Sequence, residues 1–220
     1  SVTVITAEDI ARRQLRSLPR ALQMVPGLHV VQSGGAGQQT SVFMRGTNSN
    51  QTLILIDGIE ANDPSNPNGG TDLSSILMDN IERIEVVRGP QSSLYGSEAI
   101  GGVINIITRK GTGEMSATAR VEAGSDDTIN TRAGFAGGEG RFDYSFSLNY
   151  LDTDAHSATP KRLRKGAEKE NDHYHNWTAS TRLGWALSET LELSFVGRYI
   201  DADKTNTDPE LEGEFGGTTE

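Results

Sequence analysis

The chain has 220 residues, with 30 acidic against 20 basic side chains, a formal net charge of -10 and no cysteine. This acidity argues against a non-specific nucleic-acid binder, which needs a basic face, and the lack of cysteine excludes disulfides and thiolate metal sites. No apolar run approaches the roughly 20 residues that a membrane helix needs. The mean hydropathy of -0.46 is typical of a soluble protein, but a membrane β-barrel alternates apolar and polar residues and also averages to a polar value.

The first half of the chain, to residue 109, is predicted to be mixed α and β. VTVIT (2–6) predicts a strand, after which Thr6 caps a helix and Asp9 is placed to close a capping box. That helix is predicted over ARRQLRS, residues 11–17, and a second short helix ends at Pro26-Gly27. Further strands are predicted at LHVVQ (28–32), SVFMRG (41–46), TLILIDG (52–58), IERIEVVRG (81–89) and VINIIT (103–108). SGGAGQQ (33–39) and EANDPSNPNGGTDLSS (60–75) are predicted loops, because Gly, Pro and Asn dominate them.

The second half has a different pattern, strict alternation of apolar and polar residues, which predicts strands with one apolar face. This alternation predicts strands at 141–151, 176–187 and 190–200, and two weaker strands at 116–123 and 129–136 precede them. Lengths near 9–11 residues and aromatic residues near the strand ends favour membrane strands. The connections at 137–141 and 187–190 are tight, whereas 152–176 and 201–220 are long and polar, as in bacterial outer-membrane barrels. A soluble β-sandwich with decorated loops is the alternative.

The stretch RGPQSSLYGSEAIGGVINIITRK (88–110) decides between these interpretations. It resembles the end of the plug domain of TonB-dependent outer-membrane receptors, and ITAEDI, LPRALQMVPGLHV, SVFMRGTNSNQTLILIDGIEAN and IERIEVVRGP precede it in the family's order. Such receptors hold a globular plug inside a barrel of about 22 strands. The resemblance therefore implies an α+β plug at residues 1–110, followed at 114–220 by antiparallel strands of a transmembrane β-barrel. Five strands are too few to close a barrel, which takes at least about eight, so the barrel is expected to be incomplete in this chain.

Glycines in this stretch have an expected structural role. Gly96, Gly101 and Gly102 are predicted where the backbone needs a positive φ or approaches a neighbour closely. VINII is apolar on both faces, as is typical of a strand buried within the plug.

The resemblance also implies a function. We expect active uptake of a scarce large nutrient across the bacterial outer membrane by a monomer that is energised through TonB and surrounded by outer-membrane lipids. The plug is most similar to the vitamin B12 (cobalamin) receptor branch, and ferric siderophores are the other expected ligand class. The sequence holds no catalytic constellation, so no enzyme activity is predicted. A soluble β-rich ligand-binding module is the alternative, and an outer-membrane sensor is a third hypothesis that needs an extra domain before Ser1.

The resemblance also nominates site residues. Carried over position by position, the cobalamin receptor's plug contacts fall on Ser41, Asn48, Pro67 and Asn68. The ordinary alternative for these residues is turn chemistry, in which Asn, Pro and Ser dominate. Arg45 and Arg88 each precede a glycine at a strand end, and the family pattern implies that they dock the plug against acidic groups of the barrel wall, where the planar guanidinium suits carboxylates.

Loop aspartates and histidines raise the question of a metal. Asp172-His173-Tyr174-His175 places two histidines on one face of an extended chain, but a polar extracellular loop is the favoured interpretation. Six aspartates are candidate calcium ligands, namely Asp152, Asp154, Asp172, Asp201, Asp203 and Asp208. Their spacing does not match the family's calcium pattern, so no metal site is predicted. The run PKRLRK (160–165) is interpreted as a solvated charged loop, with contact to anionic lipopolysaccharide or ligand as the alternative.

Overall fold

The structure is a computed structural model that describes residues 1–61, 70–78, 80–156 and 171–205. An N-terminal unit, called the plug below, ends with residue 108. Its elements in chain order are β1 (Val2–Thr6), α1 (Ala7–Arg12), α2 (Leu18–Leu22), β2 (Leu28–Gln32), β3 (Thr40–Met44), β4 (Thr52–Ile56), β5 (Ile59–Glu60), β6 (Ile81–Arg88), α3 (Ser92–Tyr95) and β7 (Gly102–Thr108). Within the described ranges, no helix has both the length and the apolar character needed to cross a membrane.

The first helix begins as predicted but lies earlier in the chain. Thr6 Oγ1 accepts a hydrogen bond from the Asp9 backbone N–H at 3.2 Å, and the Asp9 carboxylate accepts one from the Thr6 N–H at 3.3 Å, which confirms the capping box. The prediction of a helix over residues 11–17 was wrong, because α1 covers Ala7–Arg12. Arg13 already leaves helical geometry and Gln14 has a φ of 51°, so the chain turns away there.

The plug is built on a five-stranded sheet in the order β1-β6-β7-β4-β5, with a separate β2-β3 hairpin. The central strand β7 pairs antiparallel with β6 and parallel with β4. Its residues are buried on both faces: Ile104 and Ile106 belong to the main core, and Val103 to a smaller cluster beneath β4. This confirms that VINII is an interior strand.

Two glycines before and within β7 have the geometry expected from the sequence. Gly96 has a φ of 84° where α3 ends, a conformation that side chains with a Cβ adopt at a cost. Gly102 has a φ of 149°, and a Cβ built there would overlap the carbonyl oxygen of Val87 and the sulfur of Met44. The Gly-Gly step therefore lets β7 pass close to β6.

The second half forms one antiparallel sheet, called the wall below. Its strands are β8 (Ser116–Ala123), β9 (Ile129–Glu139), β10 (Phe142–His156), β11 (Asn171–Ala186) and β12 (Glu192–Thr205), and each pairs with the next. In the described residues β8 and β12 are the two edges, so this sheet is not closed. The five predicted strands are confirmed, but β10, β11 and β12 have 15, 16 and 14 residues and extend into segments 152–156, 171–176 and 201–205, which were predicted to be loops.

The two faces of the wall differ sharply in chemistry. One face turns toward the plug and carries buried polar side chains such as Ser145, Asn149 and Thr178. The other exposes large apolar side chains, including Trp185, Leu193, Phe195 and Tyr199, which are 54–66% exposed. Tyr150 and Trp177 lie side by side near one end of this face, with ring centroids 4.5 Å apart. An apolar face bounded by aromatic residues suits a lipid bilayer rather than water.

Candidate functional site

A buried ion pair joins the plug to the wall. Asp57 lies in the turn after β4, with a φ of 50°, and its carboxylate accepts hydrogen bonds from the backbone N–H and hydroxyl of Thr108, at 2.9 and 2.6 Å. Arg182, on the plug-facing side of β11, donates to the same carboxylate at 2.9 Å. The Asp57 and Arg182 side chains are 2% and 13% exposed. Removing one partner would leave the other charge buried, which is the costly case.

The chain leaving β7 is held by the two neighbouring wall strands. Ser145 of β10 donates to the Arg109 carbonyl at 2.9 Å, and Lys110 pairs with Glu192 of β12 at 2.7 Å. The Lys110 and Glu192 side chains are 40% and 48% exposed, so water screens this ion pair. Ser145 and Glu192 thus hold residues 109–110 directly, while Arg182 of β11 is linked to Thr108 through the buried Asp57 carboxylate.

The opposite end of β11 holds other plug segments. Asn176 is fully buried, and its Nδ2 donates to the Ser75 carbonyl at 3.1 Å and to the Tyr174 hydroxyl at 2.8 Å. Asp72 accepts hydrogen bonds from the backbone N–H groups of Thr40 and Ser74, at 2.9 and 3.0 Å. These contacts tie the start of β3 to the segment that follows residues 62–69.

A charged cluster lies where α1 faces β8 and β9. Glu122 is paired with Arg16 of the plug at 3.8 Å, with Arg132 at 3.1 Å, and with Arg120. These side chains line a cavity of about 290 Å³ between α1 and the wall. The cluster gives the plug a further polar contact with the barrel interior.

The structure places two of the four predicted ligand residues. Ser41 is half-buried on β3 opposite Val31, one residue from the Thr40 link to Asp72. Asn48 is exposed in a separate turn, where its N–H donates to the Gln51 side chain at 3.0 Å. Pro67 and Asn68, like the adjacent Asn62, Asp63, Ser65 and Asn66, lie outside the described residues. A ligand role for these residues stays a prediction.

Both predicted docking arginines contact the plug itself. Arg88 donates to the Pro26 carbonyl and, at 2.8 Å, to the Thr3 hydroxyl, while Arg45 reaches the Ser1 hydroxyl at 3.5 Å. Arg45 is exposed and has a φ of 51°. In the described ranges neither arginine is paired with a wall carboxylate. Their docking against other parts of a barrel stays a prediction.

The histidines considered as metal ligands lie on a strand rather than in a loop. His173 and His175 sit on β11 between acidic residues of both neighbouring strands: His173 contacts Asp154 at 2.9 Å and Asp152 at 3.6 Å, and His175 contacts Asp203 at 3.5 Å. The part of the chain that the structure describes contains no group of three or more metal-type ligands arranged to hold an ion. The Asp172 side chain, Asp208 and the run 160–165 lie outside the described residues.

Sequence reasoning missed the residues that hold the plug in place. Asp57 was predicted to lie within the strand TLILIDG (52–58), but β4 ends at Ile56 and Asp57 lies in the turn that follows, where its carboxylate contacts the wall. The alternation predicted for residues 176–187 places Arg182 on the polar face of the strand, and the structure has it on the face toward the plug. A charged residue on the inward face of a membrane strand is the signal that points to a buried partner.

Comparisons with known proteins agree with this architecture. Residues 1–103 match the family model described as the TonB-dependent Receptor Plug Domain. Residues 1–103 therefore form a plug domain of the TonB-dependent receptor family. The chain is 36% identical over 208 residues to the vitamin B12 transporter BtuB of Photobacterium profundum, covering 94% of this chain and 33% of that protein. It is 44% identical over 142 residues to the Vibrio vulnificus protein of the same name, covering 63% of this chain and 23% of that protein.

Solved TonB-dependent receptors share the fold. The siderophore receptor PirA from Acinetobacter baumannii is 27% identical with a TM-score of 0.69, over 92% of this chain and 32% of that chain. The ferripyoverdine receptor of the outer membrane of Pseudomonas aeruginosa, at 22% identity and a TM-score of 0.73, covers 93% of this chain and 25% of that chain. This chain therefore spans a third or less of the length of each of these relatives. It consists of an α+β plug and antiparallel strands of an incomplete barrel of the outer-membrane type, and the resemblance to cobalamin receptors is confirmed. The relatives are receptors and transporters rather than enzymes.

Proposed function

We propose that this chain supplies the plug and wall strands of a receptor that takes up cobalamin or a ferric siderophore across the bacterial outer membrane. The observation that carries the proposal is the plug itself, a folded unit seated on the inward face of a lipid-facing sheet. The buried pair between Asp57 and Arg182 helps to hold the plug against this sheet. The names of the relatives supply the two ligand classes.

A plug held by buried contacts must be moved before a large ligand can pass. Breaking a buried ion pair costs about 3–5 kcal/mol when one charge is left without its partner. The outer membrane has no energy source of its own, so we propose that TonB of the inner membrane supplies this work. The receptor acts as a monomer and carries out transport without catalysis.

Binding to the full-length receptor that contains this chain tests the ligand class. The purified receptor in detergent would be titrated with cyanocobalamin and, separately, with ferric enterobactin and other ferric siderophores. Cobalamin binding that weakens in Ser41→Ala and Asn48→Ala would support both the cobalamin branch and these two contacts. Tight binding of an iron complex without cobalamin binding would assign the receptor to the siderophore class. Binding of neither would contradict the proposal.

The soluble binding module is not favoured by any observation. A soluble sandwich buries its apolar face against a second sheet. In the described residues the apolar face of β10, β11 and β12 is uncovered, and Phe195 is 59% exposed. We therefore propose only the membrane receptor.

A further inference from the structure

We propose that Tyr174 of the wall positions the plug loop 33–39 and, through it, the ligand-facing side of the plug. The inference rests on the proposed function, because the loop matters for transport only if ligand meets the plug there. It adds a positioning residue on the barrel strand β11, outside the plug residues predicted to contact ligand.

The wall packs against this loop at Gly37. Gly37 is buried and has a φ of 73°, in the left-handed region that glycine adopts without strain. A Cβ built on it would overlap three carbons of the Tyr174 ring. The ring therefore lies directly on the loop backbone, and no larger residue fits between them.

The Tyr174 ring is itself held in one place. Tyr174 is 4% exposed, and its hydroxyl accepts the 2.8 Å hydrogen bond from Asn176. The Asn176 oxygen accepts from the Thr178 hydroxyl at 2.8 Å, and its amide also donates to the Ser75 carbonyl. All hydrogen-bonding groups of this buried amide are thus used, and a fully satisfied buried network fixes a single side-chain arrangement.

The same network reaches the end of the predicted loop 60–75, which contains the predicted ligand residues Pro67 and Asn68. Ser75 belongs to the segment that follows residues 62–69, and Asp72 in that segment binds the Thr40 N–H at the base of loop 33–39. The Leu73 N–H also donates to the Thr40 carbonyl at 3.1 Å. Both loops are therefore fastened to each other and to one end of β11.

This fastening is separate from the Asp57 pair. Tyr174 and Arg182 are eight residues apart on β11, which is roughly 27 Å along a strand at about 3.4 Å per residue. These two contacts of β11 with the plug are therefore far apart, and of the two the Tyr174 contact lies beside loop 33–39, which leads to the predicted ligand residue Ser41. A change there is expected to alter ligand affinity while leaving the Asp57 contact intact.

The test uses Gly37→Ala in the full-length receptor, with Gly140→Ala as the matched control. Gly140 has a φ of 62° in the turn before β10, and a Cβ built there meets nothing within 4 Å, so the control carries backbone strain without a clash. Dissociation constants are measured for cyanocobalamin and for ferric enterobactin. We expect Gly37→Ala to weaken binding of whichever probe the wild type binds by about tenfold or more, since overpacking displaces the loop. Gly140→Ala should bind within about twofold of the wild type.

A rescue experiment separates positioning from a general loss of structure. Adding Tyr174→Ala to Gly37→Ala removes the ring that the new methyl group strikes, so we expect the double variant to recover a large part of the lost affinity. Tyr174→Phe keeps the ring and should stay within about threefold of the wild type. Hydrogen exchange of residues 33–39 and 72–75 should be faster in Gly37→Ala and slower again in the double variant.

The outcomes are distinguishable. Wild-type affinity and wild-type exchange in Gly37→Ala would overturn the positioning role. An equal loss of affinity in the single and double variants would also overturn it, because the new methyl group would then not be clashing with the Tyr174 ring. If neither probe binds the wild type, the proposed ligand classes fail, and the exchange measurements alone still decide whether Tyr174 holds the loop.

Discussion

Arg182 donates from Nη1 to Oδ1 of Asp57 at 2.9 Å, and this bond joins barrel to plug across 125 residues of sequence. The Asp57 carboxylate also accepts two hydrogen bonds from Thr108, where the last plug strand ends. The Asp57 side chain thus holds both the end of the last plug strand and the contact between plug and wall. A planar guanidinium is suited to this geometry, since it donates in a fixed direction.

We expect Arg182→Gln to destabilise the seating of the plug by about 3–5 kcal/mol, because Asp57 would remain buried without its counter-charge. The measurement is the midpoint of thermal unfolding of the full-length receptor, together with hydrogen exchange of residues 57–60 and 104–110. The double variant Arg182→Gln with Asp57→Asn should lose less stability than Arg182→Gln alone, because no unpaired charge stays buried.

Glu192→Gln is the matched control for that variant. It removes the ion pair with Lys110, in the chain just after the plug, whose side chains are 40% and 48% exposed and therefore screened by water. The unfolding midpoint should move much less than in Arg182→Gln. Equal effects of the two variants would mean that burial does not distinguish the pairs.

Gly102→Ala should destabilise the plug more than Gly96→Ala. Both residues have positive φ, but a methyl group at Gly102 would strike the backbone of β6, whereas one at Gly96 meets nothing within 4 Å. The conformational cost alone is about 1 kcal/mol, and overpacking adds about 1–3 kcal/mol at Gly102. Chemical denaturation of the full-length receptor, followed by tryptophan fluorescence and by exchange of β7 amides, checks the order.

The start of α1 should respond to acid. Hydrogen bonds from the side chain and backbone of Thr6 hold the pKa of Asp9 below its usual value of 3.8. A depressed folded-state pKa stabilises the native state above pH 3.8, and this contribution is lost as the pH falls through the lower value. Exchange of α1 amides, corrected for intrinsic rates, should therefore increase below that range. In Thr6→Ala the Asp9 carboxylate loses its hydrogen bond from the Thr6 hydroxyl, so its pKa should rise toward 3.8 and this pH dependence should weaken. An unchanged profile would contradict the capping interaction.

Charge on the outward face of the wall should hinder membrane assembly. Phe195 is 59% exposed and lies between Leu193 and Tyr199 on the lipid-facing side of β12. Phe195→Arg should cost about 2–4 kcal/mol if the position is near the bilayer midplane, while Phe195→Leu should be nearly neutral. The fraction of folded receptor in isolated outer membranes, measured by heat-modifiable gel mobility, distinguishes them. Equal assembly of both variants would contradict a lipid-facing role for this face.

Much of the fold follows from local patterns. The capping box at Thr6 and Asp9, the interior strand β7 and the bounds of β8 were predicted correctly, because each depends on residue types within a few positions. The alternation in β10, β11 and β12 fixed which side chains face outward, since a strand has a period of two.

The errors occurred where a distant partner decides the structure. Asp152 and His175 are loop-like in composition, yet they pair across β10 and β11, and the adjacent Asp154 and His173 make a 2.9 Å contact. The Asp57–Arg182 pair was not predicted for the same reason. The residues around each partner do not indicate which distant residue it contacts. Sequence alone indicated a plug and a wall but not the side chains that join them.

Uptake by living cells tests the central claim most directly. Cells that lack their own cobalamin and siderophore receptors would express the full-length receptor and receive radiolabelled cyanocobalamin or ferric enterobactin, with TonB present or deleted. The account predicts accumulation of one of these ligands that requires both the receptor and TonB. Accumulation that persists without TonB, or none of any cobalamin or ferric siderophore supplied to cells with folded receptor in the outer membrane, would contradict it.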